Sequence, residues 1–271
     1  MKNNFGYLHL LLLLATCVAA STVKDAELGH FFDITHEHRP GMPIFGSSDG
    51  TGPVVGPYKV INDTENSQLN YSPMQLHINS GTHTKAWTTV DELDLETLNG
   101  PVLVVEVPKD KNLTAEVVGF LNIPDHVERV LFKTSNSDRD LMHKKEFDSS
   151  YAGLTADGAE WLARNTNIKL VGLDYLSVGV MPDREPVYKF LGKDIIPLEG
   201  LNIGGVHPGE HALRCLPLSI SYASAAPTRR TKFDGCWDKG NSALICQYLE
   251  SHKLSILTLD ENVFVFGPHS H

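Results

Sequence analysis

Five short apolar runs rich in β-branched residues, at 102–107, 130–134, 170–173, 194–198 and 216–220, constrain this chain more than any other feature. Each has strand length, and helical patterns fall between some of them. Thr114 is placed to cap a helix through 115–121, and Thr155 one through 159–164, where Trp161 and Leu162 supply the apolar face. Strands alternating with helices predict an α/β domain. Residues 41–57 are rich in Gly, Pro, Ser and Asp and read as a long loop.

The amino terminus has the pattern of a secretory leader: Lys2, an apolar run at 8–15 and the small-residue site Val18-Ala19-Ala20. The expected division is a signal peptide at 1–20, one domain at 21–230 and an atypical extension at 231–271. Within the extension, 255–259 and 263–266 read as a hairpin. The apolar run is too short to span a bilayer, so no membrane partner is expected. Export would leave three sequons, beginning at Asn62, Asn70 and Asn112, and three cysteines, Cys215, Cys236 and Cys246, with a bridge between the last two as one pairing. A formal charge of −10 offers no basic surface for nucleic acid.

Polar residues with catalytic potential are densest from His77 to Lys85. In a regular strand His77, Asn79, Gly81, His83 and Lys85 would share one face, with Gly81 the place where regularity breaks. Two histidines six apart are a weak metal signal, and either can equally be a hydrogen-bonded structural residue.

The stretch Phe32-Asp33-Ile34-Thr35-His36, then Gly41-Met42-Pro43-Ile44-Phe45, resembles the amino-terminal signature of the cyclase family that includes kynurenine formamidase and isatin hydrolase. Gly81-Thr82-His83 is similar to the core of its metal motif. Thr134-Ser135-Asn136-Ser137, the block Val171 to Ser177, Glu199-Gly200-Leu201 and Cys215-Leu216-Pro217-Leu218 resemble later blocks, especially of the plant branch. The resemblance implies a mixed α/β fold with a central β-barrel-like sheet flanked by helices, and a dimer or tetramer. It also implies amide hydrolysis at a zinc or manganese ion, in an arylformamide or a cyclic amide.

Carried across residue by residue, the motif is degenerate. His83 and Glu199 match metal ligands. Asn79, Lys85 and Thr89 stand where His, Asp and His ligands are implied, Trp87 replaces a proline, and the last His ligand falls near Val187 or Tyr188. His77 is the residue that could replace a lost ligand. The expected cofactor is therefore none, or a weakly held divalent ion, because an ammonium at Lys85 opposes a cation.

Three functional readings follow. One is a secreted arylformamidase-like hydrolase with altered chemistry. Another is a metal-independent enzyme using His83, Lys85 and Glu199 in imine-type condensation or ring closure, with Lys85 desolvated beside Trp87. The third is a non-catalytic binding or matrix protein. The alternative for Lys85 is an ion pair with Glu199 that replaces the metal's charge. Phe45, Asn79 and Trp87 are the expected contacts to a small aromatic or heterocyclic molecule, with His36 and Arg39 near the same loop.

Overall fold

The computed structural model describes residues 31–53, 59–63, 67–71, 74–233, 255–259 and 262–266. The leader, Cys236, Cys246 and most of the extension therefore lie outside the described residues. Residues 31–237 form one compact unit, and the hairpin beyond it belongs to another.

The main unit contains β1 (Phe31–Asp33), a hairpin of β2 (Lys59–Asp63) and β3 (Ser67–Tyr71), then β4 (His83–Lys85) and α1 (Leu95–Leu98). It continues through β5 (Gly100–Glu106), α2 (Ala115–Phe120), β6 (Arg129–Lys133), α3 (Ser135–Asp138), α4 (Ala156–Asn165) and β7 (Leu170–Leu173). The last elements are α5 (Arg184–Leu191), β8 (Ile196–Glu199), β9 (Gly209–Pro217) and β10 (Ala225–Phe233). The second unit holds the antiparallel hairpin of β11 (Ser255–Leu259) and β12 (Asn262–Phe266), where the sequence places one.

The large sheet runs β1-β10-β4-β8-β7-β6-β5-β9, and β9 returns to pair with β10. Seven strands thus close into a ring, with β1 outside it on β10, giving the mixed α/β barrel-like fold expected. Strands β5, β6, β7 and β8 are parallel neighbours; the joints at β4, β9 and β10 are antiparallel.

Period-two alternation sorts the side chains into two cores. Val102, Val104, Leu131, Leu170, Leu198 and Leu213 meet inside the ring. Their sequence neighbours Leu103, Val130, Phe132, Val171 and Leu173 face outward, where Val118 of α2, Leu162 of α4, and Val187 and Leu191 of α5 cover them. This two-sided burial explains why the parallel strands are nearly continuous apolar runs.

Thr114 caps α2, its hydroxyl accepting the Val117 N–H at 3.2 Å. Thr155 occupies the N-cap of α4, but its hydroxyl donates to the Leu113 carbonyl and to Asp157 instead of accepting from the helix. The run at 216–220 is corrected: β9 spans Gly209–Pro217, and residues 218–220 lie past its end. β9 turns Leu213 and Cys215 inward on either side of the exposed Arg214, and its first three residues, Gly209 to His211, carry no apolar side chain.

Candidate functional site

Strand register builds the centre of the site. His83 of β4 lies directly opposite Glu199 of β8, on the outward face, while Thr84 and Leu198 alternate to the inside. His83 Nε2 is 2.9 Å from Glu199 Oε2, and both side chains are fully buried. The contact is close, but its angles are not those of a linear hydrogen bond. His83 Nδ1 faces the Gly81 carbonyl at 3.1 Å. Both ring nitrogens thus face oxygens, and a neutral imidazole can donate to only one of them.

Two residues beyond His83 on the same strand face, Lys85 brings Nζ to 3.8 Å from Glu199 Oε2. The same ammonium is 3.5 Å from the Tyr188 hydroxyl and 4.5 Å from that ring's centroid. Glu199 Oε1 accepts hydrogen bonds from the Val178 N–H at 2.9 Å and from the Tyr188 hydroxyl. Ser177 Oγ stands 3.1 Å from the same hydroxyl.

Burial alone would raise the Glu199 pKa. The Lys85 charge, followed by the His83 contact and the Tyr188 hydrogen bond, overcomes it and holds the carboxyl down to about 2. Burial and the adjacent carboxylate push the Tyr188 phenol well above its ordinary range, so it remains the donor. Glu199 is a weak base whose Oε1 is hydrogen-bonded and whose Oε2 has the close Lys85 and His83 contacts alone. Lys85 keeps donor capacity, and its side chain is 16% exposed.

α5 delivers the aromatic and cationic wall. Arg184 and Tyr188 are one helical turn apart and share a face. Arg184 lies over the Tyr188 ring at 5.1 Å and over the Phe45 ring at 4.3 Å. Phe45 packs against Phe147 at 4.6 Å, which continues into Tyr151 and Tyr175. Burial, ahead of other influences, raises the Tyr151 phenol to about 12.

Glycines permit the turn that joins these parts. Gly81 has φ +59°, and a Cβ there would come 2.6 Å from the His38 ring. Gly200 has φ +64°, and its Cβ would meet the Gly81 carbonyl oxygen at 2.1 Å. The Thr82 hydroxyl donates to the Gly200 carbonyl and accepts the His36 N–H at 2.9 Å, fixing β4 against the chain after β8. Gly81→Ala is expected to displace His38 and cost about 1–2 kcal/mol, read as a melting point lower by roughly 3–6 °C.

His83, Lys85 and Glu199 are therefore brought together, and Phe45 reaches them through Arg184 and Tyr188. The single extended face from His77 to Lys85 is not formed. Residues 78–80 turn, β4 begins only at His83, and His77 is exposed. Asn79 is half-buried, with its side-chain oxygen lacking a hydrogen-bond partner among the described residues. Trp87 is 61% exposed, and the aromatic ring against Lys85 is that of Tyr188. Arg39 Nη2 donates to the Met142 carbonyl at 3.4 Å. His36 stacks edge-on against His143; burial first, then His143, pulls its pKa down to about 4. Arg184 was not visible as a site residue from sequence; its i, i+4 spacing to Tyr188 on a short amphipathic segment is the signal that could have found it.

The donors present do not fit the divalent ion that the resemblance implies. An ammonium occupies the space beside Glu199 Oε2, and the described residues contain no group of three His, Cys, Asp or Glu able to share an ion. Tyr188, one of the two positions near which a His ligand is implied, donates a hydrogen bond to Glu199 instead of offering a lone pair to a cation.

The family model described as "Putative cyclase" matches residues 32–180. The chain is 46% identical over 217 residues to Cyclase-like protein 1 of Arabidopsis thaliana, covering 75% of this chain and 84% of that protein. It is 32% identical over 207 residues to the kynurenine formamidase of Salinibacter ruber, covering 73% and 94% of the two chains. A solved structure described as a potential metal-dependent hydrolase with cyclase activity matches with a TM-score of 0.60 at 26% identity, covering 76% of this chain and 98% of the other. A barrel that sets His83 opposite Glu199, read with these matches, places the chain in the cyclase family, which includes formamidase relatives.

Proposed function

We propose that this chain is a metal-independent member of its family that acts on the carbonyl of a small aromatic or heterocyclic amide, with Lys85 supplying the positive charge. The observation that carries this reading is the Lys85 ammonium 3.8 Å from Glu199 Oε2, beside a tyrosine hydroxyl that the same carboxylate holds. A cation fixed in a largely buried site stabilises oxyanion charge as it develops on an attacked carbonyl, with little reorganisation during the reaction. Glu199 and Tyr188 position that cation; the weak basicity of Glu199 argues against its taking a proton. The ion pair also favours an electrostatic role for Lys85 over imine formation, which needs the free amine.

The test is turnover of aryl formamides and lactams by the native chain and by Lys85→Met. Loss of about a hundredfold or more in kcat, with an unchanged melting point, is expected for removal of one oxyanion-stabilising group. Equal turnover by the two proteins would remove Lys85 from the chemistry. Turnover by neither would favour a binding protein.

Export through the leader and assembly as a homo-oligomer belong to the same proposal. Asn112 is exposed at the turn before α2, which suits a glycan there. Enzymatic deglycosylation of protein secreted from eukaryotic cells is expected to lower its mass. No mass change, in the native chain compared with Asn112→Gln, would count against modification at this sequon.

A further inference from the structure

Arg184 is a cation without an anionic partner among the described residues. Lys85 has Glu199 as a counter-charge, but no ion pair among the described residues includes Arg184. Its neighbour Asp183 accepts the Ala156 N–H at 3.1 Å, and Glu185 is exposed. The guanidinium instead lies over two rings, 4.3 Å from the Phe45 centroid and 5.1 Å from that of Tyr188. Its Nε is buried and has no hydrogen-bond partner among the described residues. A buried donor left unpaired costs free energy, and a ligand acceptor removes that cost.

The position adds to the charge. Arg184 is the first residue of α5, where the helix N-terminus contributes partial positive charge. Lys85 approaches the same Tyr188 ring at 4.5 Å. Glu199 therefore serves Lys85 beside this ring, and no carboxylate among the described residues pairs with Arg184. Contacts with two aromatic rings restrict the guanidinium, whose planar fork matches a carboxylate.

Resting on the proposed use of Lys85, we infer that Arg184 forms a carboxylate subsite and that the substrate class is an aromatic carboxylic acid. The carboxylate pairs with Arg184, its ring packs beside Phe45, and the reacting carbonyl lies toward Lys85. This recognition involves no covalent step. Arg184 thereby determines specificity, since a neutral aromatic of the same shape leaves the buried donor without a charge partner.

Calorimetric titration of the purified mature protein with benzoate and with benzamide tests this at near-neutral pH and fixed ionic strength. Benzoate is expected to bind about tenfold or more tightly than benzamide, the margin of a charge-assisted pair over a neutral one. Arg184→Met should abolish that preference, Arg184→Lys should keep part of it, and Lys85→Met should keep most of it. Near-ultraviolet circular dichroism confirms that the variants are folded. Equal binding of the two probes, binding of neither at millimolar concentration, or a preference lost in Lys85→Met but kept in Arg184→Met would overturn the assignment. Metal content of the same preparations separates the two ideas. A stoichiometric metal with an Arg184-dependent preference refutes the role given to Lys85 and leaves the carboxylate subsite standing. A metal-free protein without the preference does the reverse.

Discussion

Glu199→Gln is expected to destabilise the protein by about 3–5 kcal/mol, the range for removing one partner of a buried charge cluster. Gln keeps the size of the side chain but removes the anion that His83 and Lys85 share, both within 4 Å of Oε2. With its oxygen at the Oε1 position Gln still accepts from the Val178 N–H and the Tyr188 hydroxyl, but its NH2 then faces the Lys85 ammonium, donor against donor. Chemical denaturation of both proteins measures the difference. The same group sets an acid limb. Its carboxyl has a folded pKa of about 2 against an ordinary 4.5, so its stabilising contribution is complete above the ordinary value and is lost as pH falls toward the folded one. A shift of that size corresponds to about 3 kcal/mol. The native chain should lose that much across the window relative to Glu199→Gln; parallel pH profiles would show that the pair is not formed as described.

Asp174→Ala is the second large effect, expected at about 3–4 kcal/mol and a melting point lower by roughly 10 °C. Asp174 is buried at the end of β7 and accepts from five donors on the neighbouring turn. These are the N–H and hydroxyl of Thr134 at 3.0 and 2.7 Å, the N–H and hydroxyl of Ser137 at 3.1 and 2.6 Å, and Asn136 Nδ2 at 3.3 Å. Alanine leaves those donors unpaired in a dry place. Asn136 retains its other bonds, exchanging with the backbone of Ala152 at 2.8 Å in both directions. The damage should therefore remain local to α3. Hydrogen exchange is the second readout: faster exchange confined to residues 134–138 supports this account, and global acceleration contradicts it.

Much of the barrel was legible because its parallel strands are buried on both faces. Residues 170–173 form β7 as read, and the runs at 102–107 and 130–134 lie within two residues of β5 and β6. β10 was missed for a physical reason. Its inward positions carry Thr228 and a fully buried Arg230, and Pro227 interrupts the pattern, so a strand paired with β4, β9 and β1 has no apolar alternation. Arg230 is stabilised inside by donating to the His83 carbonyl at 2.6 Å and the Thr84 hydroxyl at 2.8 Å, contacts that only the closed ring creates.

The same distinction applies to the site. His83 and Lys85 could be paired from sequence because they are two apart on a strand, and Glu199 because its block resembles a family motif. Tyr188 entered only as a position lacking histidine. That its hydroxyl would reach Glu199, or that Arg184 would sit over Phe45, depends on how α5 packs on the barrel, and no local periodicity encodes that. Trp87 looked apolar enough to desolvate Lys85, yet the strand ends at Lys85 and the chain carries Trp87 outward.

In the function proposed above, an ammonium has taken the place of a metal. Elemental mass spectrometry of the purified mature chain, dialysed without chelator, tests it most directly. Less than about a tenth of an equivalent of zinc or manganese per chain is expected, with a melting point unchanged by chelator. About one equivalent, lost in Glu199→Gln, would contradict it and return the chain to metal-assisted hydrolysis with a ligand set other than the one described.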